Sequence, residues 1–408
     1  MLLQQRTEML SHGEDSGFTV KSMDASISKA KQTTKQKEKI DLTFVGDMIF
    51  GRYDVDGDFT PYYKRTGVED YDPFASIASR LSADIIIGNL ETPLRRVLPE
   101  HIDGPEPLGT YLDDGQGHSI PLGCPDCRFG GDPEMASLLT AANFSAVSLA
   151  NNHAWDLLDQ GLLETPAILE DLCIEAPGSA RTSGPLVEMV SLESSGWRVG
   201  ILSVTSALNY EEQSVEGAPV QPFLPVENYD QLVPVIRSGR SDNDLVIALV
   251  HWRTQFEDAP SELQRDSART LIDAGADMVI GAHSHTLQGI ERYKNGLIAY
   301  SLGNFLWDDG GARCRAQVIE CLDPFQWNAT GVLRVEASFA DEHSTAHISK
   351  VVLHPAFLAR DPTFHPEPAQ GDLGDRVRSR MITLSEDLGS VLHASESGDL
   401  VMAGWASP

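Results

Sequence analysis

Hydrophobic residues along the chain are grouped into short continuous runs, and most of these runs are followed by glycine or by polar residues. Runs of Val, Ile and Leu of this length are typical of strands that are buried on both faces of a sheet. We therefore predict buried strands in these segments: IDLTFVGD (40–47), ADIIIGNLE (83–91), FSAVSLANNH (144–153), WRVGILSVTS (197–206), DLVIALVHW (244–252), ADMVIGAHSH (276–285) and LIAYSLGNF (297–305).

Helical patterns lie between several of these runs, in PFASIASRLS (73–82), PEMASLLTAAN (133–143) and PSELQRDSARTLIDAG (260–275). The third begins with Pro-Ser-Glu and ends in Gly, which are start and stop signals of a helix. Alternation of strands and helices predicts a layered α/β domain. Two later runs, GVLRVEASF (331–339) and HISKVVLHP (347–355), alternate apolar with polar residues and predict half-exposed antiparallel strands.

The pattern divides the chain into three parts. Residues 1–38 are polar and end in KAKQTTKQKEK, which is typical of a disordered tail. Residues 39–355 hold the predicted strands and form the predicted catalytic domain; within them, residues 93–132 are rich in Gly and Pro and predict a long loop over the site. Residues 356–408 form a C-terminal extension with one predicted helix in DRVRSRMITLSEDLGSVL.

Composition narrows the possible functions of this 408-residue chain. With 60 acidic residues against 31 Lys and Arg, the formal net charge is −29. This charge repels phosphate backbones and argues against general nucleic-acid binding. No segment approaches the roughly 20 apolar residues of a membrane span, and the N-terminus shows no secretory signal, so we expect a cytoplasmic protein.

Five cysteines in a chain of this length do not indicate a disulfide scaffold. Cys124 and Cys127 form a CxxC in the long loop, and Cys314 and Cys321 form a second pair. Four thiolates can hold a structural zinc, but the second spacing is wider than that of a zinc knuckle. Free thiols or a loop disulfide are the alternatives.

Polar residues follow five of the predicted buried strands at the point where each strand ends. Ligands of open α/β sheets bind at the carboxyl ends of the strands, so these side chains are expected to converge. Carboxylates, amide oxygens and imidazoles bind divalent transition metals, and such a set can hold two ions about 3.5–4 Å apart with a bridging carboxylate. The convergent set is Asp47, Asn89, Glu91, Asn151, Asn152, His153, His251, His283 and His285.

The order of six motifs gives a resemblance to a known family. GDMIFGR, GNLE, SLANNH, HW, GAHSHTLQG and YSLGNF resemble, in that order, the CapA-type proteins of capsule and poly-γ-glutamate biosynthesis, a branch of the calcineurin-like metallophosphatase fold. The resemblance covers about residues 40–310. It implies a four-layered α/β sandwich with a mixed β-sheet sandwich at its centre.

The resemblance also implies residue roles. One or two divalent transition metals (Mn, Fe or Zn) would be held by six residues, and His153 would act as the catalytic acid or base beside Asp47 and His285. Asp156, three residues after His153, either orients that imidazole or is a first-turn acid of a helix. The implied metal ligands are Asp47, Glu91, Asn152, His251, His283 and His285.

Two departures from the family pattern bear on metal occupancy. The family fold usually carries a His two residues after the first Asp, where this chain has Ile49. After His251 the family often has Gly and later Glu, where this chain has Arg253 and Gln255. A cation at this place either repels a second metal or holds an anionic group of the substrate. Occupancy by one metal, by two or by none therefore stays open.

Four residues near the motifs are candidates for substrate binding. Arg52 follows the first strand and either clamps an anionic substrate or forms a structural ion pair. Asn304 follows another strand and either lines the site or forms a turn after Gly. The four candidates are Arg52, Asn89, Arg253 and Asn304.

Three functions from different classes follow from these residues. The first is a metal-dependent hydrolase that acts on a phosphoester or on a γ-glutamyl or peptide-type amide, with water activated by metal and a leaving group protonated by His153. The second is a metal-independent peptide epimerase, in which Asp47 with His285 or His153 serves two faces of one Cα. The third is a non-catalytic assembly factor that binds an anionic polymer of the capsule or polyglutamate type.

Overall fold

The computed structural model describes residues 38–53, 58–61, 72–102, 111–113, 119–121, 128–210, 220–308, 324–339, 345–359 and 364–405. The predicted tail, except its last residue, and both cysteine pairs lie outside these ranges. Among the described helices, none combines the length and the apolar composition that crossing a bilayer requires.

The described strands alternate with helices through the first three quarters of the chain. The helices are α1 (Pro133–Ala141), α2 (Leu158–Asp171), α3 (Val233–Arg240), α4 (Glu262–Ala274), α5 (Pro324–Asn328) and α6 (Gly371–Glu386), with 3-10 helices at Ala78–Arg80 and Val226–Leu232. The strands are β1 (Lys39–Met48), β2 (Gly51–Tyr53), β3 (Phe59–Pro61), β4 (Ile85–Leu90), β5 (Tyr111–Asp113), β6 (Ser119–Pro121), β7 (Ala146–Ser148), β8 (Val190–Ser194), β9 (Trp197–Thr205), β10 (Leu245–His251), β11 (Met278–Ala282), β12 (Ile290–Tyr293), β13 (Gly296–Ala299), β14 (Asn304–Leu306), β15 (Ala329–Phe339), β16 (Ala346–Ala359), β17 (His365–Pro368), β18 (Leu392–Ala394) and β19 (Leu400–Met402).

Two mixed sheets contain most of these strands. The first sheet has the order β18-β19-β16-β15-β1-β4-β7, with β14 added to β1 and β17 added to β16. The second sheet has the order β12-β13-β11-β10-β9-β8. Neighbours β1, β4 and β7 run parallel, as do β9, β10, β11 and β13, so each sheet has one edge at which several carboxyl ends meet.

The sheets pack face to face, and helices cover both outer faces. Alternate side chains of the two sheets share one apolar core, which includes Phe44 and Ile87 from the first and Ile247 from the second. Helices α1 and α2 cover the outer face of the first sheet, and α3 and α4 cover that of the second. This order of helix, sheet, sheet and helix confirms the predicted four-layered α/β sandwich.

Most predicted elements are present. All seven predicted strand segments contain a strand, and the third helical pattern forms α4, capped by Ser261 with Gln264 and ended by Gly275 at φ 118°. The helix predicted at 73–82 is wrong, because this segment forms only turns and the 3-10 helix. Its buried residues Phe74 and Ile77 are three positions apart, which suits i→i+3 turns better than an α-helix.

The C-terminal segment joins the first sheet. Strand β16 pairs antiparallel with β15, as predicted, and it runs through the predicted boundary at residue 355. β15 is buried along most of its length, so the expected half exposure is wrong for this strand, because its Leu333, Val335 and Ala337 enter the core between the sheets while Val332 packs in the core of the outer face. α6 contributes Val377 and Met381 to the core between the sheets.

Candidate functional site

Strands from both sheets deliver polar side chains to one place. Asp47 lies opposite Asn89 and Asn304 in the register of β1 with β4 and β14. His251 ends β10, and His283 follows β11, its parallel neighbour. The structure therefore brings the strand-end residues of the sequence together, and every side chain of the cluster is buried: Asp47, Asn89, Glu91, Asn152, His153, His251, His283, His285 and Asn304.

Two groups of possible metal ligands overlap at Glu91. In one group, ligand atoms of Asp47, Glu91 and His285 lie within 4.8 Å of one another. In the other, ligand atoms of Glu91, His251 and His283 do so. A carboxylate common to two groups is the arrangement of a bridged two-metal centre.

Asn89 lies between the carboxylates. Its Nδ2 donates to Asp47 Oδ1 at 2.8 Å and to Glu91 Oε1 at 3.2 Å. Such hydrogen bonds orient the carboxylate oxygens, as outer residues of metal sites do. The substrate-binding role expected of Asn89 stays a prediction, and the contacts assign it an orienting position.

The amide of Asn152 lies beside an imidazole of the second group. Its Oδ1 is 2.7 Å from His251 Nε2, so an amide oxygen that follows the first sheet contacts a ring nitrogen of the second sheet. Asn151, the preceding residue, donates from Nδ2 to the carbonyl of Leu90 and accepts from the backbone N–H of His153. The SLANNH segment thus contains both a turn-forming Asn and a possible ligand.

The turn after β11 holds its two histidines in an unusual backbone conformation. His283 has φ 84° and His285 has φ 55°, values that residues with a Cβ rarely adopt. Such conformations cost free energy and concentrate at functional sites. The turn directs His285 Nδ1 towards Asn304 Oδ1 at 2.8 Å and Asp47 Oδ2 at 3.4 Å. Asn304, expected to bind substrate, contacts His285 here.

Buried polar atoms without partners test whether a cation fits the site. Within the described residues, neither ring nitrogen of His283 has a hydrogen-bond partner, and Glu91 Oε2 has none. Leaving such atoms unpaired in the interior is costly. A divalent cation would satisfy them, and imidazole nitrogens with carboxylate oxygens are the donors it prefers, so the residues fit a metal.

Burial shifts the titration of the cluster towards neutral forms. It raises the pKa of Asp47 to about 7 and, with the nearby charges of Asp47 and Asp156, raises the pKa of Glu91 well above its usual range. Burial lowers the pKa of His285 to about 3 and lowers those of His251 and His283 well below the usual value. Neutral imidazoles are the form that binds metal, and a cation would return both carboxyls to their charged form.

His153 forms a dyad with Asp156. His153 Nδ1 lies 2.7 Å from Asp156 Oδ2, which also accepts the backbone N–H of Phe129. The phenol of Tyr210 donates to the other oxygen of Asp156 at 2.8 Å. Asp156 is therefore held by three donors and orients the imidazole, whereas the alternative of a first-turn acid fails because α2 begins only at Leu158.

The aromatic ring of Phe129 belongs to the predicted loop 93–132 and lies on the site. Its centroid is 4.0 Å from that of the His153 ring, in a stacked arrangement. Strands β5 and β6 form a hairpin within the same loop. The remainder of the loop, at 103–110, 114–118 and 122–127, is outside the described ranges, so its closure over the site stays a prediction.

Arg52 takes part in a buried ion pair. Its Nε donates to Asp308 Oδ2 at 2.7 Å, and its Nη2 pairs with Asp308 Oδ1. The guanidinium also lies over the ring of Phe129, at 5.1 Å from the centroid. Of the two sequence interpretations of Arg52, these contacts favour the structural ion pair. Arg253, by contrast, is exposed and lies outside the buried cluster.

We expect Asp308→Asn to destabilise the protein by about 3 kcal/mol, because it removes the carboxylate that faces a buried guanidinium. Urea unfolding measures the change. The matched control is Asp41→Asn, which removes one partner of the partly exposed pair with Arg334 and should cost less than about 1 kcal/mol. Equal losses for the two variants would contradict a special role of the buried pair.

Sequence reasoning missed three residues. Asn209 contacts Asn152 and His153 of the cluster, Tyr210 donates to Asp156, and Asp308 pairs with Arg52. Asn209 and Tyr210 follow β9, whose carboxyl end lies beside that of β10. The sequence signal for Asn209 and Tyr210 is the same as for the predicted site residues, namely a polar side chain shortly after a buried strand.

The fold and the site define the class of this protein, which is a four-layered α/β sandwich with carboxylates, amides and imidazoles at the strand ends. Residues 41–309 match the sequence profile of the family described as bacterial capsule synthesis protein PGA_cap, and the chain belongs to this family.

Two relatives are similar to this chain in sequence. The chain is 28% identical over 289 residues to capsule biosynthesis protein CapA of Bacillus anthracis, a match that covers 69% of this chain and 63% of that protein. It is 25% identical over 334 residues to PGA biosynthesis protein CapA of Bacillus subtilis (strain 168), covering 82% and 80%. The match therefore spans less than two thirds of the first relative.

Among solved structures, a hypothetical protein from Thermus thermophilus superposes with a TM-score of 0.38 and 18% sequence identity, covering 81% of this chain and 98% of that one.

Proposed function

We propose that this protein is a metal-dependent hydrolase whose centre is built on Glu91. The observation that carries the proposal is the overlap of two ligand groups at this buried carboxylate. Asp47 and His285 would hold one ion, and Asn152, His251 and His283 would hold the other, with Glu91 common to both. The missing His at Ile49 leaves the first group smaller, so single occupancy would fall on the second group.

A bound divalent cation supplies Lewis-acid polarisation and an activated water near neutral pH. The residues of the chain orient the ligands and exclude water. Asn89 keeps the two carboxylates in place, and Asn304 orients the ring of His285. The walls of the site are buried, which excludes bulk water and strengthens each electrostatic interaction within it.

His153 is the residue that we assign to the leaving group. Asp156 accepts a hydrogen bond from its Nδ1–H, which leaves Nε2 as the nitrogen that faces the cluster, 3.7 Å from Glu91 Oε2. In its protonated form this nitrogen donates a proton to the oxygen or nitrogen that departs. The carboxylate of Asp156 stabilises the imidazolium that precedes the transfer.

The substrate class follows from the chemistry and from the relatives. A centre of this type cleaves phosphoesters or amides, and the names of the relatives refer to capsule and PGA biosynthesis. We propose a phosphoester or a γ-glutamyl or peptide-type amide within an anionic polymer or its precursor.

The contact between Asp47 and His285 bears on the epimerase alternative. Their facing atoms are 3.4 Å apart, closer than two groups that flank one Cα. Two groups that exchange protons on opposite faces of one carbon must flank it. The geometry therefore favours hydrolysis over epimerisation by this pair, whereas the pair of Asp47 with His153 is left to experiment.

Metal content of the purified protein tests the proposal. We expect about one or two equivalents of transition metal by inductively coupled plasma mass spectrometry, and loss of metal in Asp47→Ala/His251→Ala, which removes one ligand from each group. The matched control is His354→Ala/Asp399→Ala, which removes a His and an Asp that hydrogen-bond to each other, at 2.8 Å, outside the cluster. Hydrolysis of a phosphodiester and of a γ-glutamyl anilide should require the metal and stop on chelation.

Absence of metal in the wild type after reconstitution with Mn²⁺, Fe²⁺ and Zn²⁺ would overturn the proposal. Deuterium incorporation at peptide Cα positions that survives chelation would instead support the metal-independent epimerase.

A further inference from the structure

Asn209 joins the two halves of the site across the boundary between the sheets. It follows β9 of the second sheet, whereas Asn152 and His153 follow β7 of the first. Its side chain is buried, with a relative exposure of the residue of 2%. A polar amide in such a place is retained only if its hydrogen bonds are satisfied, so its partners decide what it does.

Both ends of the Asn209 amide have partners in the site. Asn152 Nδ2 donates to Asn209 Oδ1 at 2.7 Å. Asn209 Nδ2 lies 3.1 Å from Nδ1 and 3.4 Å from Nε2 of His153. Nδ1–H donates to Asp156, so the neutral ring keeps its lone pair on Nε2, and the acceptor it offers the Asn209 amide is this farther nitrogen, at 3.4 Å.

The hydrogen bond of His153 to Asp156 determines, step by step, how the amides of Asn209 and Asn152 are oriented. The carboxylate fixes the tautomer of His153, and the lone pair of His153 then requires the nitrogen end of Asn209 on its side. The oxygen end of Asn209 consequently faces Asn152 and requires the nitrogen end of that amide. Asn152 Oδ1 is thereby turned towards His251 Nε2, at 2.7 Å.

We infer that Asn209 is a positioning residue which sets the amide of Asn152 with its oxygen towards the metal ligands and couples that choice to the His153–Asp156 dyad. A reversed Asn152 amide would offer N–H groups, which cannot bind a cation, and would face Asn209 with oxygen against oxygen. The inference rests on the proposed function, because it gives the Asn152 oxygen a metal to bind.

Metal affinity of three variants tests this role, with Mn²⁺ and Zn²⁺ each measured by equilibrium dialysis. Asn209→Leu removes both hydrogen bonds and should weaken binding by about 10- to 100-fold, the usual effect of losing a residue that orients a metal ligand. Asn209→Asp keeps an acceptor for Asn152 Nδ2 and should bind metal at least as tightly as the wild type. Recovery in the Asp variant is a result that loss of packing alone would not produce.

Asn243→Leu is the matched control. Asn243 is a buried Asn whose Nδ2 donates to the carbonyl of Gly239 at 2.8 Å, and it precedes β10 at the end opposite to His251. Its substitution removes a buried hydrogen bond without touching the cluster, so metal affinity should stay within about twofold of the wild type. Circular dichroism of all variants verifies the fold before dialysis.

The outcomes separate the inference from the proposed function. Asn209→Leu that folds and binds metal as tightly as the wild type would overturn the positioning role and leave the hydrolase proposal intact. The same holds for an Asn209→Asp variant that loses as much affinity as the Leu variant. A wild-type chain that binds neither Mn²⁺ nor Zn²⁺ would overturn the proposed function and this inference with it.

Discussion

Glu91→Gln is expected to abolish binding at both metal positions, with affinity reduced by more than about 100-fold at each, which exceeds the usual effect of altering an orienting residue. Glu91 is the one residue common to the two ligand groups of the described structure. Glutamine keeps the shape and one oxygen, but it removes the negative charge that two cations would share. Metal content and calorimetric titration with Mn²⁺ measure the loss.

The same substitution should not weaken the metal-free protein. Burial raises the pKa of Glu91 well above its usual range, so the folded chain without metal disfavours the charged carboxylate. A neutral amide avoids that cost, and the melting temperature of metal-free Glu91→Gln should equal or exceed that of the metal-free wild type. Loss of metal binding together with an unchanged or higher melting temperature distinguishes loss of a ligand from loss of the fold.

Asp47→Asn is the control for Glu91→Gln, because Asp47 belongs to only one of the two groups. We expect it to lose at most one equivalent of metal and to retain binding at His251 and His283. If Glu91→Gln and Asp47→Asn lose the same amount of metal from a chain that binds two ions, Glu91 does not bridge them.

The strand-end ligands were accessible to sequence reasoning for a physical reason. Parallel strands with continuous apolar runs place their carboxyl ends at one edge, so the first polar residue after each run is already located in space. Asp47, His251 and His283 are of this kind, and the structure brings them together as expected. The six motifs in order then supplied the family and with it the fold.

Hydrogen bonds between distant segments were not accessible in this way. Arg52 pairs with Asp308, which is 256 residues away, and Asn152 donates to Asn209 at a separation of 57. A hydrophobic pattern fixes the edge at which a side chain lies, but it does not fix which of its polar atoms meets which partner. For that reason the sequence predicts that Asn89 lies at the site but not that it donates to two carboxylates.

Replacement of His153 should reduce turnover by about 10²- to 10⁴-fold in protein saturated with metal, the usual contribution of a positioned acid. His153→Gln retains polarity and much of the volume beside Phe129. The matched control is His354→Gln, which alters a buried histidine that also has an aspartate partner, Asp399, away from the cluster. Initial rates with a phosphodiester probe, measured beside metal content, give the comparison.

The leaving group of the probe separates an acid from a residue that only supports the site. A nitrophenolate departs without a proton, whereas an alkoxide or an amine needs one at the moment of bond cleavage. His153→Gln should therefore lose much more activity on an alkyl ester or an alkyl amide than on a nitrophenyl ester. Equal losses on both probes would assign His153 to support of the ligands, and undiminished turnover on both would remove it from the reaction. The hydrogen bond from Nδ1 to Asp156 favours the first result, because it leaves Nε2 as the nitrogen that carries the transferable proton.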